Sequence, residues 1–201
     1  MKKLIAVILA LFVFIAVLIL PGCRKDNPPT ALEITVIDNM GSASVGASVR
    51  LYSSQSDWSN NTNQIGITLY TNVSGRVRFS NLLPIQYYWF IENGCLNNSN
   101  STSTASALMS NATTTVPTVL GQTGAIEFIN NSSNPYHVYI NGSFSFDLAG
   151  GYTQTIYDLA TGYYVVRVLQ ISGYVISPTD ISWQAYSLEC GVTAQYTFPN
   201  K

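Results

Sequence analysis

Residues 36–52 read VIDNMGSASVGASVRLY and residues 71–82 read TNVSGRVRFSNL. In both stretches a glycine-bearing turn leads into apolar side chains at every second position. Ala47, Val49 and Leu51 alternate with Ser48, Arg50 and Tyr52, and Val77 and Phe79 alternate with Arg76 and Arg78. A period of two is the mark of a β-strand with one buried face. Gly41 and Gly46 bracket the first turn and Gly75 closes the second, where a residue without a Cβ tolerates positive φ. Working outward, Leu32, Ile34 and Val36 predict a strand over 32–38, another follows near 66–71, and residues 81–84 turn the chain into QYYWFIE.

Residues 92–116 are polar and poor in large apolar side chains, which predicts a long loop before a last strand at 112–120. The GQTG segment at 121–124 is the best boundary in the chain. Beyond it Ile126 and Phe128 alternate with Glu127 and Ile129, and Tyr136, Val138 and Ile140 share a face opposite His137 and Tyr139. Asn141 and Gly142 supply a two-residue hairpin turn, after which Phe144, Phe146 and Leu148 are expected on one face. Further strands are predicted up to Leu159, over YYVVRVLQ at 163–170, near 181–187 and over 192–198. The fold expected is all-β, with two small antiparallel β-sandwich domains in tandem at 32–120 and 121–201.

The pattern V-I-D-x-x-G-x-x-x-V-G-A-x-V-x-L-Y, followed by T-N-x-S-G-x-V-x-F-x-N-L and then Tyr87 and Tyr88, resembles the carboxypeptidase regulatory-like, transthyretin-like group of β-sandwich domains. It is also similar to the B-type repeats of bacterial surface adhesins. The resemblance covers residues 32–120 and implies a stalk, a spacer or a binding module, with no catalytic residue in the pattern. Residues 124–142 loosely resemble small surface modules built around a PEGA-type motif, although PEGA itself is absent.

The amino end reads MKKLIAVILALFVFIAVLILPGC. Two lysines precede an apolar run over 4–20 that breaks at Pro21 and Gly22, the layout of an export signal. Leu20, Pro21, Gly22 and Cys23 resemble a bacterial lipoprotein box, which implies cleavage after residue 22 and diacylglycerol on Cys23. The expected order is a signal peptide at 1–22, a tether at 23–31 containing Pro28 and Pro29, and then the sandwiches. The other reading is an uncleaved span, since the run reaches the roughly 17-residue minimum. Both hold the amino end in the cytoplasm and carry the rest across. The lipoprotein reading places the chain in the bacterial envelope, on the outer membrane's periplasmic or surface face, with the membrane as a partner through Cys23.

Only 9% of the residues are charged, so solubility falls to Asn, Ser, Thr, Gly and Tyr. The basic residues beyond the signal, Arg24, Lys25, Arg50, Arg76, Arg78, Arg167 and Lys201, are too scattered to neutralise a phosphate backbone, which excludes nucleic acid as a partner. Cys95 and Cys190 fall one in each predicted domain. They either staple the domains together or remain separate thiols, and a bridge requires Cα atoms within about 7 Å. Neither lies in a CxxC pair or beside histidine, so no metal or cofactor is expected.

His137 lies mid-strand with Asp147 on the partner strand, but no G-x-S-x-G elbow accompanies them. Asp57, Glu92, Glu127, Asp147, Asp158, Asp180 and Glu189 are singletons without a calcium-loop pattern. No enzyme is expected. Trp58, in the loop SQSDWSNNTN, either stacks on a sugar ring beside amide groups or folds back as a lid on the core. The function these readings predict is a membrane-anchored, non-catalytic module binding a surface glycan or protein, with a structural stalk subunit as the alternative.

Overall fold

A computed structural model describes residues 27–101, 103–172 and 179–199. The predicted signal peptide, Cys23 and the first part of the predicted tether lie outside the described residues. The chain is all-β, and among the described residues it has antiparallel sheets, two parallel strand pairs and no closed barrel. No helix among the described residues is long and apolar enough to cross a membrane.

In the first half β1 is Ala31–Ile37, β2 Ser48–Tyr52, β3 Leu69–Tyr70, β4 Arg76–Ser80, β5 Tyr88–Asn93, β6 Leu96–Asn97 and β7 Thr113–Val119. The alternation that predicted these strands sets their burial. Leu32, Ile34 and Val36 are fully buried, as are Ala47, Val49 and Leu51, and Val77 and Phe79 join them from β4. Trp89 and Ile91 complete the core from β5, and the Trp89 indole N–H donates to Thr118 Oγ1 at 3.0 Å. Gly75 is irreplaceable on two counts. Its φ is +68°, and a Cβ there would lie 2.4 Å from the Val36 carbonyl oxygen.

A short helix, α1 (Gln55–Asn60), stands where the sequence predicts a loop. Ser54 caps it, accepting from the Asp57 backbone N–H at 3.0 Å, and Asn61 ends it at φ 51°. The helix also accounts for Tyr52, which alternation assigns to the outer face. Tyr52 is fully buried, and its phenol donates to Asn61 Oδ1 at 2.6 Å.

The second half comprises β8 (Gly121–Asn130), β9 (Tyr136–Ile140), β10 (Ser143–Leu148), β11 (Thr153–Ala160), β12 (Gly162–Tyr164), β13 (Val166–Gln170), β14 (Asp180–Ser182), β15 (Tyr186–Leu188) and β16 (Thr193–Phe198). The Asn141–Gly142 turn is present, with both residues at positive φ. The expectation for β10 fails at one position. A register shift between Phe144 and Phe146 places Phe144 opposite Tyr139 on the outer face, 56% exposed, while Phe146 packs on the core. The predicted strand over 163–170 is likewise broken at Val165, so that β12 pairs with β15 and β13 with β9 and β14.

The halves have the same topology. In the first, β1 lies between β4, antiparallel, and β7, parallel, while β3, β2, β5 and β6 form the facing sheet. In the second, β8 lies between β11, antiparallel, and β16, parallel, while β10, β9, β13 and β14 form the facing sheet. Each half encloses its own buried cluster, one ending at Leu120 and one beginning at Ile126. The GQTG segment that reads as a boundary is the start of β8, and Gly121 and Gln122 pair with Asn97 and Leu96 of β6. One sheet therefore runs from β3 in the first half to β11 in the second.

Candidate functional site

The outer face of that shared sheet carries a groove of about 420 Å³. Its floor is set by strand parity. Trp89 and Ile91 of β5 point into the core, so Phe90 and Glu92 point out, and Arg50 faces out beside Phe90 from β2. The Arg50 guanidinium lies 5.0 Å from the Phe90 ring centroid and donates to Asn61 Oδ1 at 2.9 Å and to Glu92 Oε2 at 2.5 Å. Arg50 is thereby fixed over the aromatic ring instead of sampling solvent.

One wall is α1 and its cap, which contribute Ser59 and Asn61. Hydrogen bonds from Ser54 and Asn63 hold the Asp57 carboxyl below its ordinary value, keeping an anion in the first turn of the helix. Beneath the wall, burial pushes the Tyr52 phenol up, with Arg50 opposing and Glu92 adding, so Tyr52 stays a donor to Asn61.

The other wall comes from the second half. A register shift in β11 between Ile156 and Leu159 makes a bulge, and Asp158 there adopts φ 58°. Aspartate tolerates this conformation better than most residues, and bulges of this kind re-aim side chains. Here the bulge turns Tyr157 outward, 70% exposed, at the groove rim. Asp158 is held across the junction by Asn97, whose Nδ2 donates to Asp158 Oδ1 at 2.7 Å and to Thr123 Oγ1 at 3.1 Å. Both halves thus contribute to one concave surface offering two aromatic rings, a guanidinium, two carboxylates, an amide and a hydroxyl.

The junction is also closed covalently. Cys95, between β5 and β6, and Cys190, between β15 and β16, form a disulfide with a Cα–Cα distance of 5.5 Å. Thr123 sits between them, its N–H donating to the Cys95 carbonyl and its carbonyl accepting from Gly191, both at 2.9 Å.

Trp58 does not line the groove. Its indole is half-buried, and Nε1 donates to the Trp89 carbonyl at 3.0 Å, so it anchors α1 to β5 from beneath. His137 and Asp147 meet across the β9–β10 hairpin at 2.5 Å, on an exposed face beside Tyr139 and Phe144. No cluster of three or more His, Cys, Asp or Glu residues suited to a metal occurs among the described residues. Cys23 lies outside them. The residues that sequence reasoning missed are Arg50, Asn61, Phe90 and Tyr157. Tyr157 carries no local signal, because the bulge that exposes it interrupts an ordinary run of strand residues.

No protein-family model matches the chain, and no curated protein does. Among solved structures it is similar to a streptococcal ancillary pilin, at 15% identity and a TM-score of 0.40 over 88% of this chain and 64% of that one. It is also similar to a minor pilin of Streptococcus agalactiae, at 16% identity and a TM-score of 0.35, covering 84% of this chain and 94% of that one. A leucine-rich repeat protein from Bacteroides thetaiotaomicron VPI-5482 matches at 11% identity and a TM-score of 0.41 over 86% of this chain and 26% of its own. The chain thus spans less than two thirds of that ancillary pilin, and superpositions this loose transfer no partner or activity.

Proposed function

We propose that this chain is an envelope-displayed, non-catalytic binding module, held to the membrane by acylated Cys23 and engaging a surface glycan or protein through the groove at its junction. The observation that carries this reading is the groove's origin in both halves. A mere spacer needs stiffness, but it has no need of a bulge that turns Tyr157 toward a stacked Phe90–Arg50 pair on the opposite strands. The groove supplies apolar ring surface together with polar groups that fix orientation, the usual make-up of a ligand site.

The test is a glycan array, together with purified envelope polysaccharides and surface proteins, probed with the full chain in detergent. Tyr157→Ala is expected to weaken binding by about 1–3 kcal/mol, the range for losing an aromatic anchor, with an unchanged melting temperature. Binding indifferent to Tyr157 would remove the groove from the account. The stalk alternative draws on the junction itself, where a shared sheet and a disulfide hold two sandwiches at one angle. On that reading Tyr157→Ala is silent, and mass spectrometry of membrane-extracted protein still finds Cys23 acylated.

A further inference from the structure

A second concavity, away from the junction, has a different chemistry. Residues 183–186, which carry the chain from β14 into β15, lie beside β16 and enclose a pocket of about 500 Å³. This is within the roughly 300–1,000 Å³ of small-molecule sites. Trp183 is fixed by edge-on packing against Tyr196 at 5.1 Å and Phe198 at 6.2 Å between ring centroids, and its backbone N–H donates to the Val166 carbonyl at 3.0 Å. Tyr186 stands at the rim, 42% exposed. Gln184, Gln195 and Thr193 supply amide and hydroxyl groups.

We propose that this pocket binds one neutral pyranose unit of a glycan. No charged side chain lines it, so an ionic ligand would lose its hydration without gaining a partner. The Glu127 carboxylate accepts from Gln195 Nε2 at 2.6 Å beside the pocket and further disfavours anions. A purely apolar ligand is a poor fit as well, because it would bury the Gln184 amide and the Thr193 hydroxyl unpaired. A pyranose satisfies both halves of the lining, with C–H faces for Trp183 and Tyr186 and hydroxyls for the amides and Thr193.

A second feature points the same way. The phenol oxygen of Tyr196 is buried and has no hydrogen-bond partner among the described residues, although Tyr196 is one of the residues lining the pocket. Burial pushes this phenol up and nearby Tyr186 adds to the shift, so it keeps its proton and remains a donor. Buried hydroxyls are nearly always satisfied, and this one, in a residue of the pocket lining, is left unmet by the described residues.

The test uses the full chain in detergent with methyl glucoside, methyl mannoside, methyl galactoside and N-acetylglucosamine. Glucuronate and glucosamine serve as charged comparators. Binding is read by saturation-transfer NMR and by tryptophan fluorescence. At least one neutral sugar is expected to saturate, at least about tenfold more tightly than glucuronate. The exposed substitutions Gln184→Ala and Tyr186→Ala should each weaken it about tenfold with the far-ultraviolet dichroism unchanged. Tyr157→Ala, in the junction groove, should leave it intact, so failure here is separable from failure there. The proposal is overturned if no neutral sugar saturates by about 20 mM, if glucuronate binds as well, or if the Gln184→Ala/Tyr186→Ala double variant binds normally.

Discussion

The two halves reach one topology with different cores. The first is mainly aliphatic, with Leu32, Ile34, Val36, Val49, Leu51 and Ile91 packed around Phe79, Tyr87 and Trp89. The second is aromatic, with Phe128 stacked on Tyr196 at 5.9 Å and packed edge-on to Phe146 at 5.4 Å, and with Tyr136 against Phe198 at 5.1 Å. No repeated motif marks the correspondence. What the halves share is seven corresponding strands with period-two alternation, to which the second adds the β12–β15 pair, so one strand order tolerates two different interiors. They differ most in the facing sheet. In the first half its strands β3 and β6 have two residues each and α1 packs beside it, whereas in the second β10 has six and its outer face bears Phe144, Tyr139 and His137.

The sharpest way to break the comparison is to empty one core at a time. Trp89→Ala and Phe128→Ala should each cost about 3–5 kcal/mol. Hydrogen exchange should show Trp89→Ala deprotecting β1, β2 and β5 while β9 and β13 stay protected, with the converse for Phe128→Ala. Loss of protection in both halves from either change would mean that the cores act as one.

A smaller effect is expected from the bond between the halves. Replacing both Cys95 and Cys190 with Ser removes a crosslink spanning a separation of 95 residues, and urea unfolding should show a loss of about 2–4 kcal/mol. Both cores should stay folded in the native state of this variant, because β6–β8 pairing and the Asn97 bonds to Asp158 and Thr123 persist. An unchanged midpoint would show that the disulfide adds nothing to the shared sheet.

The smallest effect belongs to a surface ion pair in the second half. Arg167 donates to both carboxylate oxygens of Asp180, at 2.9 and 2.7 Å, and this holds the Asp180 carboxyl below its ordinary value. A depressed folded value contributes stability above the unfolded carboxylate value of about 3.9, and that contribution is lost as pH falls through the folded value. Both side chains are nearly half exposed, so Asp180→Asn should cost only a few tenths of a kcal/mol, about the usual worth of such pairs. Melting curves should show that difference at pH 7 and none once the pH is below the folded value.

Period-two alternation made most strands legible, because burying one face of a strand leaves its mark on each residue in turn. Pairing leaves no such mark. Nothing in LEITVI or in TTTVPTV says that β1 and β7 run parallel, since a strand has the same alternation whichever neighbour it takes. The misplaced side chains have local causes. Phe144 leaves its expected face because one extra residue in β10 shifts the phase, and Tyr52 turns from outer to buried because α1 covers it. Most of the groove was illegible for the same reason. Arg50 alone was readable as outward-facing, and its meeting Phe90, Glu92 and Tyr157 depends on β2–β5 pairing, on a bulge in β11 and on β8 joining the two sheets.

The parallel closure of each half has a mechanical consequence. When the first and last strands of a unit run side by side in the same direction, the chain enters and leaves at opposite ends of the pair. With the disulfide reduced, tension between those ends loads the ladder in shear, so the registered positions from Ala31 opposite Thr113 to Ile37 opposite Val119 resist together and do not unzip singly. The Cys95–Cys190 bond adds a short circuit. Pulled from its two ends, the chain transmits load through that bond, and the residues between the two cysteines are withheld from extension.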